Sequence, residues 1–189
     1  MGNLDLSRNF FGKKISSPVL LAPMGHQTQF HKNGEIETAL GVEKAKSIAF
    51  FSTQGRISLN DIRKKNKSTN LGWTIFPFGD EDWILKEIKS AEKNKCVALI
   101  ICIDANVRSW RYNDRESRYD ARKFGRRTNP LPPNPKKALG YDWKLINFIK
   151  KNTKLPIILK GILTKEDAIK CVKKKNRCCL DFKSWREDV

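Results

Sequence analysis

The sequence predicts an α/β fold: a parallel sheet with helices packed around it. Two observations carry this. The apolar segments are short and near-continuous rather than alternating, as in strands buried on both faces. Between them lie amphipathic stretches with capping residues, so the order strand, helix, strand, helix recurs along the 189 residues.

The segment "SPVLLAP" (17–23) reads as a short buried strand stopped by proline. "GEIETALGVEKAK" (34–46) places Ile36, Ala39 and Leu40 at helical spacing. "SIAFFST" (47–53) is the next strand. "SLNDIRKKN" (58–66) is a helix with Ser58 as N-cap and Asp61 at its third position. "LGWTIFPF" (71–78) is a strand broken by Pro77. "DEDWILKEIKSAEKNK" (80–95) has an acidic first turn, a basic last turn and an apolar stripe of Trp83, Ile84, Ile88 and Ala91. "CVALIICID" (96–104) is an apolar run ending in an aspartate. Residues 106–140 form a long basic, proline-rich loop, of a length that is usually functional or unstructured. "YDWKLINFIKKNTK" (141–154) is an amphipathic helix and "LPIILKG" (155–161) a strand ending in lysine and glycine. "TKEDAIKCVKKK" (164–175) opens a helix capped by Thr164, with Asp167 at the capping-box position. In such folds functional groups gather just past the C-termini of the strands. Here those positions hold Pro23-Met24-Gly25, Ser52-Thr53, Phe76-Pro77, Asp104 and Lys160-Gly161.

Composition excludes some classes. No apolar run is long enough to cross a membrane, and "MGNLDLSRNF" lacks the apolar core of a secretory signal. Cys96, Cys102, Cys171, Cys178 and Cys179 make no C-x-x-C pair, so buried free thiols in a reducing cytoplasm are expected, with no metal site. His26 and His31 are read as solvated loop residues. The net charge of +18 invites nucleic acid, yet the charge is spread along the chain rather than striped. Lysine supplies 26 of the 38 basic residues, and Asn and Ile are frequent too. All three have A/T-rich codons, so base composition explains the charge and nucleic acid is disfavoured as a partner.

Taken in order, these segments resemble the FMN-dependent α-hydroxy-acid dehydrogenases, the family of glycolate oxidase, lactate oxidase and lactate 2-monooxygenase. "FFGKKISSPVLLAPMG" resembles its first barrel strand and Ala-Pro flavin loop, and "HKNGEIETA" its His-x-x-Gly-Glu helix entry. "FFST" resembles its second-strand serine, and "DANVRSWRYND" its fourth-strand aspartate with the Gly-Trp-Arg-x-x-Asp element. "WKLINFIKKNTKLPIILKGILTKEDA" is the strongest match, and the likeness spans about residues 5–172. It implies a partial (β/α)8 barrel holding about the first five strands over residues 1–175.

The resemblance also implies roles. Ala22, Pro23, Met24 and Gly25 would lie against the flavin ring of FMN, Ser52 would hydrogen-bond it, and Lys160 would sit at its N1/O2 edge. A cation there favours the anionic reduced flavin. Arg111 would hold the carboxylate of a small 2-hydroxy acid such as lactate, which is oxidised to the 2-keto acid. Family members are often homo-oligomers.

Departures from the pattern are equally definite. Where the family's third strand carries Trp-Phe-Gln-Leu-Tyr, the sequence aligns Ile75 with the flavin-binding Gln and Pro77 with the substrate-binding Tyr. Cys102 stands at the fourth-strand Thr. The Ser-Asn-His-Gly-Gly-Arg element, with the catalytic base, is not in these 189 residues, nor is the Gly-rich FMN phosphate region. A whole barrel typically takes roughly 250 residues. The segment "DFKSWRED" (181–188) can be written GAT TTC AAA TCA TGG AGG GAG GAT, which one base later encodes Ile-Ser-Asn-His-Gly-Gly-Arg. The "KKKN" codons (173–176) can form an adenine run that invites slippage. Residues 176–189 are therefore expected to be an out-of-frame tail without evolved structure, and the chain by itself an inactive, poorly soluble fragment. Two other classes stay open: a basic nucleic-acid-binding module using the 106–140 loop, and a subunit completed by a second polypeptide.

Overall fold

A computed structural model describes residues 4–104, 112–118, 127–132, 142–173 and 178–180. The chain opens with a hairpin, β1 (Arg8–Phe10) against β2 (Lys13–Ile15), antiparallel. Its two turn residues, Phe11 and Gly12, both have positive φ (47° and 73°), the backbone of a two-residue turn that suits strand twist. Sequence reading missed this hairpin, because only one of the two positions is a glycine.

The main sheet has the order β3 (Ile48–Ser52), β4 (Asn70–Ile75), β5 (Leu99–Cys102), β6 (Ile157–Lys160), β7 (Cys178–Leu180), and every neighbouring pair is parallel. Helices α1 (Glu35–Lys44), α2 (Leu59–Lys65), α3 (Glu81–Lys93), α5 (Trp143–Lys151) and α6 (Lys165–Lys173) supply the crossovers and flanks, and a short α4 (Tyr112–Glu116) lies within the long loop. The predicted caps at Ser58 and Thr164 are present, and Asp80 and Asp142 cap two further helices. Ser58 Oγ accepts from Asp61 N–H, Asp80 from Trp83 N–H, and Asp142 from both Lys144 and Leu145 N–H. Thr164 Oγ1 accepts from Asp167 N–H and donates to Asp167 Oδ2.

One expectation is corrected. Residues 17–23 are not a strand: only Leu21 joins the sheet, as a single parallel bridge to Ala49. Pro18 and Pro23 have no N–H to donate, so the ladder cannot extend past that bridge. Leu21 does donate to Ile48 O and accept from Phe50 N–H. At the other edge, Cys178–Leu180 pairs with Ile158–Lys160.

The sheet has apolar clusters on both faces. On the outer face Phe51, Trp73, Ile75, Leu99, Ile101 and Leu159 pack against the helices through Ile62, Ile84, Ile88 and Ile149. Trp73 Nε1 donates to Glu87 Oε2 at 2.9 Å, which pairs a carboxyl that burial pushes above its ordinary pKa. The inner face carries a smaller cluster, Ile48, Phe50, Ile100 and Ile158, with Ile15 of the hairpin packed into it. The Phe50 ring lies over Gly72, where a Cβ would come within 2.2 Å of it. The hairpin closes this inner face towards the N-terminal ends of the strands, which leaves their C-terminal ends for polar groups.

Candidate functional site

Alternation along each strand decides what faces inward. Phe50 and Ile100 are on the inner face, so Ser52 and Cys102, two residues on, point the same way; so does Lys160, two beyond Ile158. The register pairs Ser52 with Thr74 and Cys102 with Lys160. Four strands thus deliver polar side chains to the C-terminal end of the inner face in two successive layers: Ser52 and Thr74 level with Ile100 and Ile158, then Cys102 and Lys160 one step further on.

This corrects the reading of the third strand of the pattern. Ile75 is fully buried in the outer, helix-side cluster. It cannot occupy an inward site; Thr74 does. A strict period-two reading from Trp73 to Ile75 would have found it, because both large apolar residues belong on the helix side. Pro77 lies beyond the end of β4.

Ser52 is 1% exposed, and its Oγ accepts from Gln54 N–H at 3.0 Å in the tight turn that ends β3. That turn needs Gly55, where a Cβ would meet Ser52 O at 2.8 Å and Glu35 Oε1 at 3.0 Å. Thr74 is fully buried, and its Oγ1 has no hydrogen-bond partner. A buried hydroxyl without a partner costs free energy, on the order of 1–3 kcal/mol. Trp83 Nε1 in the helix-side cluster is also buried without a partner, so it is the position of Thr74 beside Ser52 that points to a ligand.

Lys160 and Asp104 form an ion pair at 2.7 Å with side chains 13% and 17% exposed. Cys102 Sγ donates to the second Asp104 oxygen at 2.7 Å, and Lys160 Nζ also approaches Cys102 Sγ at 3.5 Å. Burial disfavours the Lys160 charge, but the Asp104 hydrogen bond and the negative potential around it win, so its pKa is raised. Burial likewise opposes ionisation of Asp104, and the bonds from Cys102 and Lys160 outweigh it, holding that carboxyl below its ordinary value. The Cys102 thiol is pushed up to about 12, mainly by burial and then by its bond to Asp104. The set is therefore an ammonium, a carboxylate and a neutral thiol. Gly161 makes it possible: φ is 99°, and a Cβ there would lie 2.6 Å from Asp104 Cβ.

Ala22, Pro23, Met24 and Gly25 come to the same end. Gly25 packs against Gln54 of the β3 turn, where an added Cβ would sit 3.3 Å from Gln54 Cβ. Met24 is exposed. Arg111 lies outside the described residues. His31 is exposed, and its Nδ1 accepts from Asn33 N–H.

One feature was invisible in the sequence. Residues 127–132, within the long loop, pack onto the β3–α2 turn. Asn129, 4% exposed, donates to Thr53 O at 2.9 Å and Gly55 O at 3.1 Å, while the N–H groups of Thr128 and Asn129 both donate to Arg56 O. Ser58 N–H donates to Thr128 Oγ1. Beneath this strap, the buried Glu35 accepts from Arg56 N–H at 2.9 Å. Residues 127–132 are thus anchored on the turn that follows Ser52.

Among the described residues no group of His, Cys, Asp or Glu could hold a metal ion, and no helix is long and apolar enough to cross a membrane.

Known proteins agree with this architecture. The family described as FMN-dependent dehydrogenase matches residues 1–177. A peroxisomal (S)-2-hydroxyacid oxidase of Arabidopsis thaliana is 25% identical over 186 residues, covering 91% of this chain and 51% of that protein. Rattus norvegicus 2-hydroxyacid oxidase 2 is 28% identical over 179 residues, covering 89% and 50%. L-lactate oxidase of Lysinibacillus sphaericus is 24% identical, covering 89% and 49%. A mandelate oxidase variant solved with (S)-mandelic acid superposes with a TM-score of 0.78 at 23% identity, covering 92% of this chain and 50% of that one. The chain spans about half the length of the curated relatives it matches.

Proposed function

The chain belongs to the FMN-dependent dehydrogenase family, and from that membership we propose that its inner-face row is the cradle for a flavin ring in the oxidation of a small 2-hydroxy acid. The observation that carries the proposal is the Thr74 hydroxyl, buried and unpartnered beside Ser52 and one layer below the Cys102–Lys160 pair. A flavin ring edge offers polar atoms that would complete its hydrogen bond. Flavin, when bound, supplies the acceptor for the hydride equivalent of the 2-hydroxy acid.

The chain's own residues have separable roles. Lys160 holds a fixed positive charge where negative charge would develop on the ring. Asp104 keeps that lysine protonated and oriented, and Cys102 orients Asp104 by donating to it. Ser52 and Thr74 offer hydroxyls along the same edge. The Ala22–Gly25 loop presents backbone groups against one side of the ring, and Arg111 is proposed to bind the substrate carboxylate. Lactate is the substrate we put forward, in the cytoplasm. A base able to take a proton at the substrate carbon is not among these roles. The 189 residues by themselves are therefore proposed to bind the ring and not to turn over substrate.

The test is a titration of the purified chain with riboflavin, which has the ring but no phosphate, followed by flavin fluorescence. The proposal predicts saturable quenching that Lys160→Met and Thr74→Val weaken. No saturable quenching by a chain with the circular dichroism of a folded α/β protein would refute it.

A second reading concerns the sheet edges. Val19, Leu163 and Val172 are 70%, 68% and 72% exposed, beside Leu21 at one edge and on or before α6 at the other. Apolar surface of this kind at both edges supports completion of the barrel by further strand–helix units. Co-expression with the C-terminal half of a relative tests this: the proposal predicts a soluble heterodimer, and separate elution of the halves contradicts it. We also keep residues 176–189 as an out-of-frame tail. The gene sequence from the Lys173 codon onward decides that point.

A further inference from the structure

The opposite end of the sheet has a different chemistry. A cleft of about 630 Å³ opens at the N-terminal ends of the strands, between the start of β4, the ends of α2 and α3, and the hairpin. Lys13, Lys64, Lys67, Lys93 and Lys95 line it together with Arg63, and no carboxylate does. We propose that this cleft binds a run of phosphate groups, carried either by a nucleic-acid backbone or by a free oligophosphate.

Two helices end here, and their terminal carbonyls would normally repel an anion. Arg63 removes that objection. Its Nε donates to Asn94 O at 3.0 Å, and its Nη1 donates to Asn66 O, Lys67 O and Thr69 O at 3.2, 3.1 and 2.9 Å. The guanidinium is thus consumed in neutralising the helix ends and the turn before β4. The five lysines are left over, and none makes an ion pair among the described residues. The nearest carboxylate, Glu43, is occupied by the hydroxyls of Ser68 and Thr69. Asn94 is held by Asn60 and by Ser90 O, so the wall carrying Lys93 and Lys95 is fixed relative to α2.

Lysines are common all over this chain, so number alone decides nothing. What distinguishes this set is concavity, the missing counter-ions and a prearranged frame. Point-charge ammoniums suit phosphate oxygens, and the cleft holds no aromatic side chain, so base stacking is not part of the recognition. Binding here would be sequence-independent and strongly salt-dependent. It does not depend on the flavin reading, because the two sites lie at opposite ends of the strands.

The test uses the full chain and two probes, inorganic tripolyphosphate and a mixed-sequence 12-nucleotide single strand, measured by calorimetry at two salt concentrations. The chain with Lys64, Lys67, Lys93 and Lys95 all changed to Glu is compared with one carrying Lys32→Glu and Lys165→Glu at the other end of the strands. A Lys→Gln version of the quadruple change guards against misfolding. The cleft variants are expected to lose on the order of tenfold or more in affinity, and the control about twofold or less. Tighter binding of the oligonucleotide identifies a nucleic-acid backbone as the ligand, and tighter binding of tripolyphosphate a free oligophosphate. Either probe retained by the Lys→Gln variant, equal loss in the control, or no binding by the unmodified chain overturns the proposal.

Discussion

The two faces of the sheet are built on different rules. The outer face is a conventional core: Phe51, Trp73, Ile75, Leu99 and Ile101 are at most 1% exposed, and its indole donor is paired with Glu87. The inner face starts apolar at the hairpin and becomes polar towards the strand C-termini, where Ser52, Thr74, Cys102 and Lys160 follow one another. Both faces exclude water. Among the described residues the inner face buries the Thr74 hydroxyl without a partner, where the outer face leaves an indole N–H, that of Trp83. Burial for stability and burial for binding thus appear side by side on the same strands, one residue apart.

The largest expected difference comes from truncation on the outer face. Trp73→Ala removes a buried indole and strands the Glu87 carboxyl, and should cost about 3–5 kcal/mol in chemical denaturation. Gly72→Ala sharpens the contrast from inside. A Cβ at Gly72 would enter the Phe50 ring, and Phe50 is itself only 3% exposed, so a loss of about 1–3 kcal/mol is expected. If Gly72→Ala were neutral, the inner cluster would be loose rather than packed.

Much of the outer face was legible in the sequence, and much of the inner face was not. Apolar runs located β3, β4, β5 and β6, and Ser58 and Thr164 marked the starts of helices. The same runs hid the sidedness of β4: "LGWTIF" is continuous, and continuous burial carries no phase. Hence the sequence aligns Ile75 with the family's flavin-binding Gln, while in the structure Thr74 faces inward. Proline decided another difference, since Leu21 between Pro18 and Pro23 supports one bridge and no strand. The 127–132 strap was illegible because its bonds are to backbone oxygens of Thr53, Gly55 and Arg56, and backbone acceptors leave no trace in side-chain identity.

A smaller effect tests the polar row itself. Asp104→Asn removes the carboxylate that supports the Lys160 charge and leaves Cys102 alone to oppose burial. The lysine pKa should then fall from its raised position, read by NMR of the labelled ammonium. The intact pair has a defined window. Asp104, held below its ordinary 3.8, contributes stability that is lost as pH falls through its folded-state value. Lys160, raised, contributes stability that is lost as pH rises through its own. Above the ordinary carboxylate value of 3.8 and below the pKa of Lys160 in the variant, the difference between the native chain and Asp104→Asn should be independent of pH.

The smallest change in stability is the most informative. Thermal unfolding of the native chain and of Thr74→Val, each with and without saturating riboflavin, tests directly whether the inner row is a ligand surface. Without flavin, Thr74→Val should unfold at the same or a higher temperature, because it deletes an unsatisfied buried hydroxyl. With flavin, its stabilisation should be smaller than that of the native chain. A variant that unfolds at a clearly lower temperature without flavin, and gains as much from it as the native chain, would contradict the account. Thr74 would then be ordinary core.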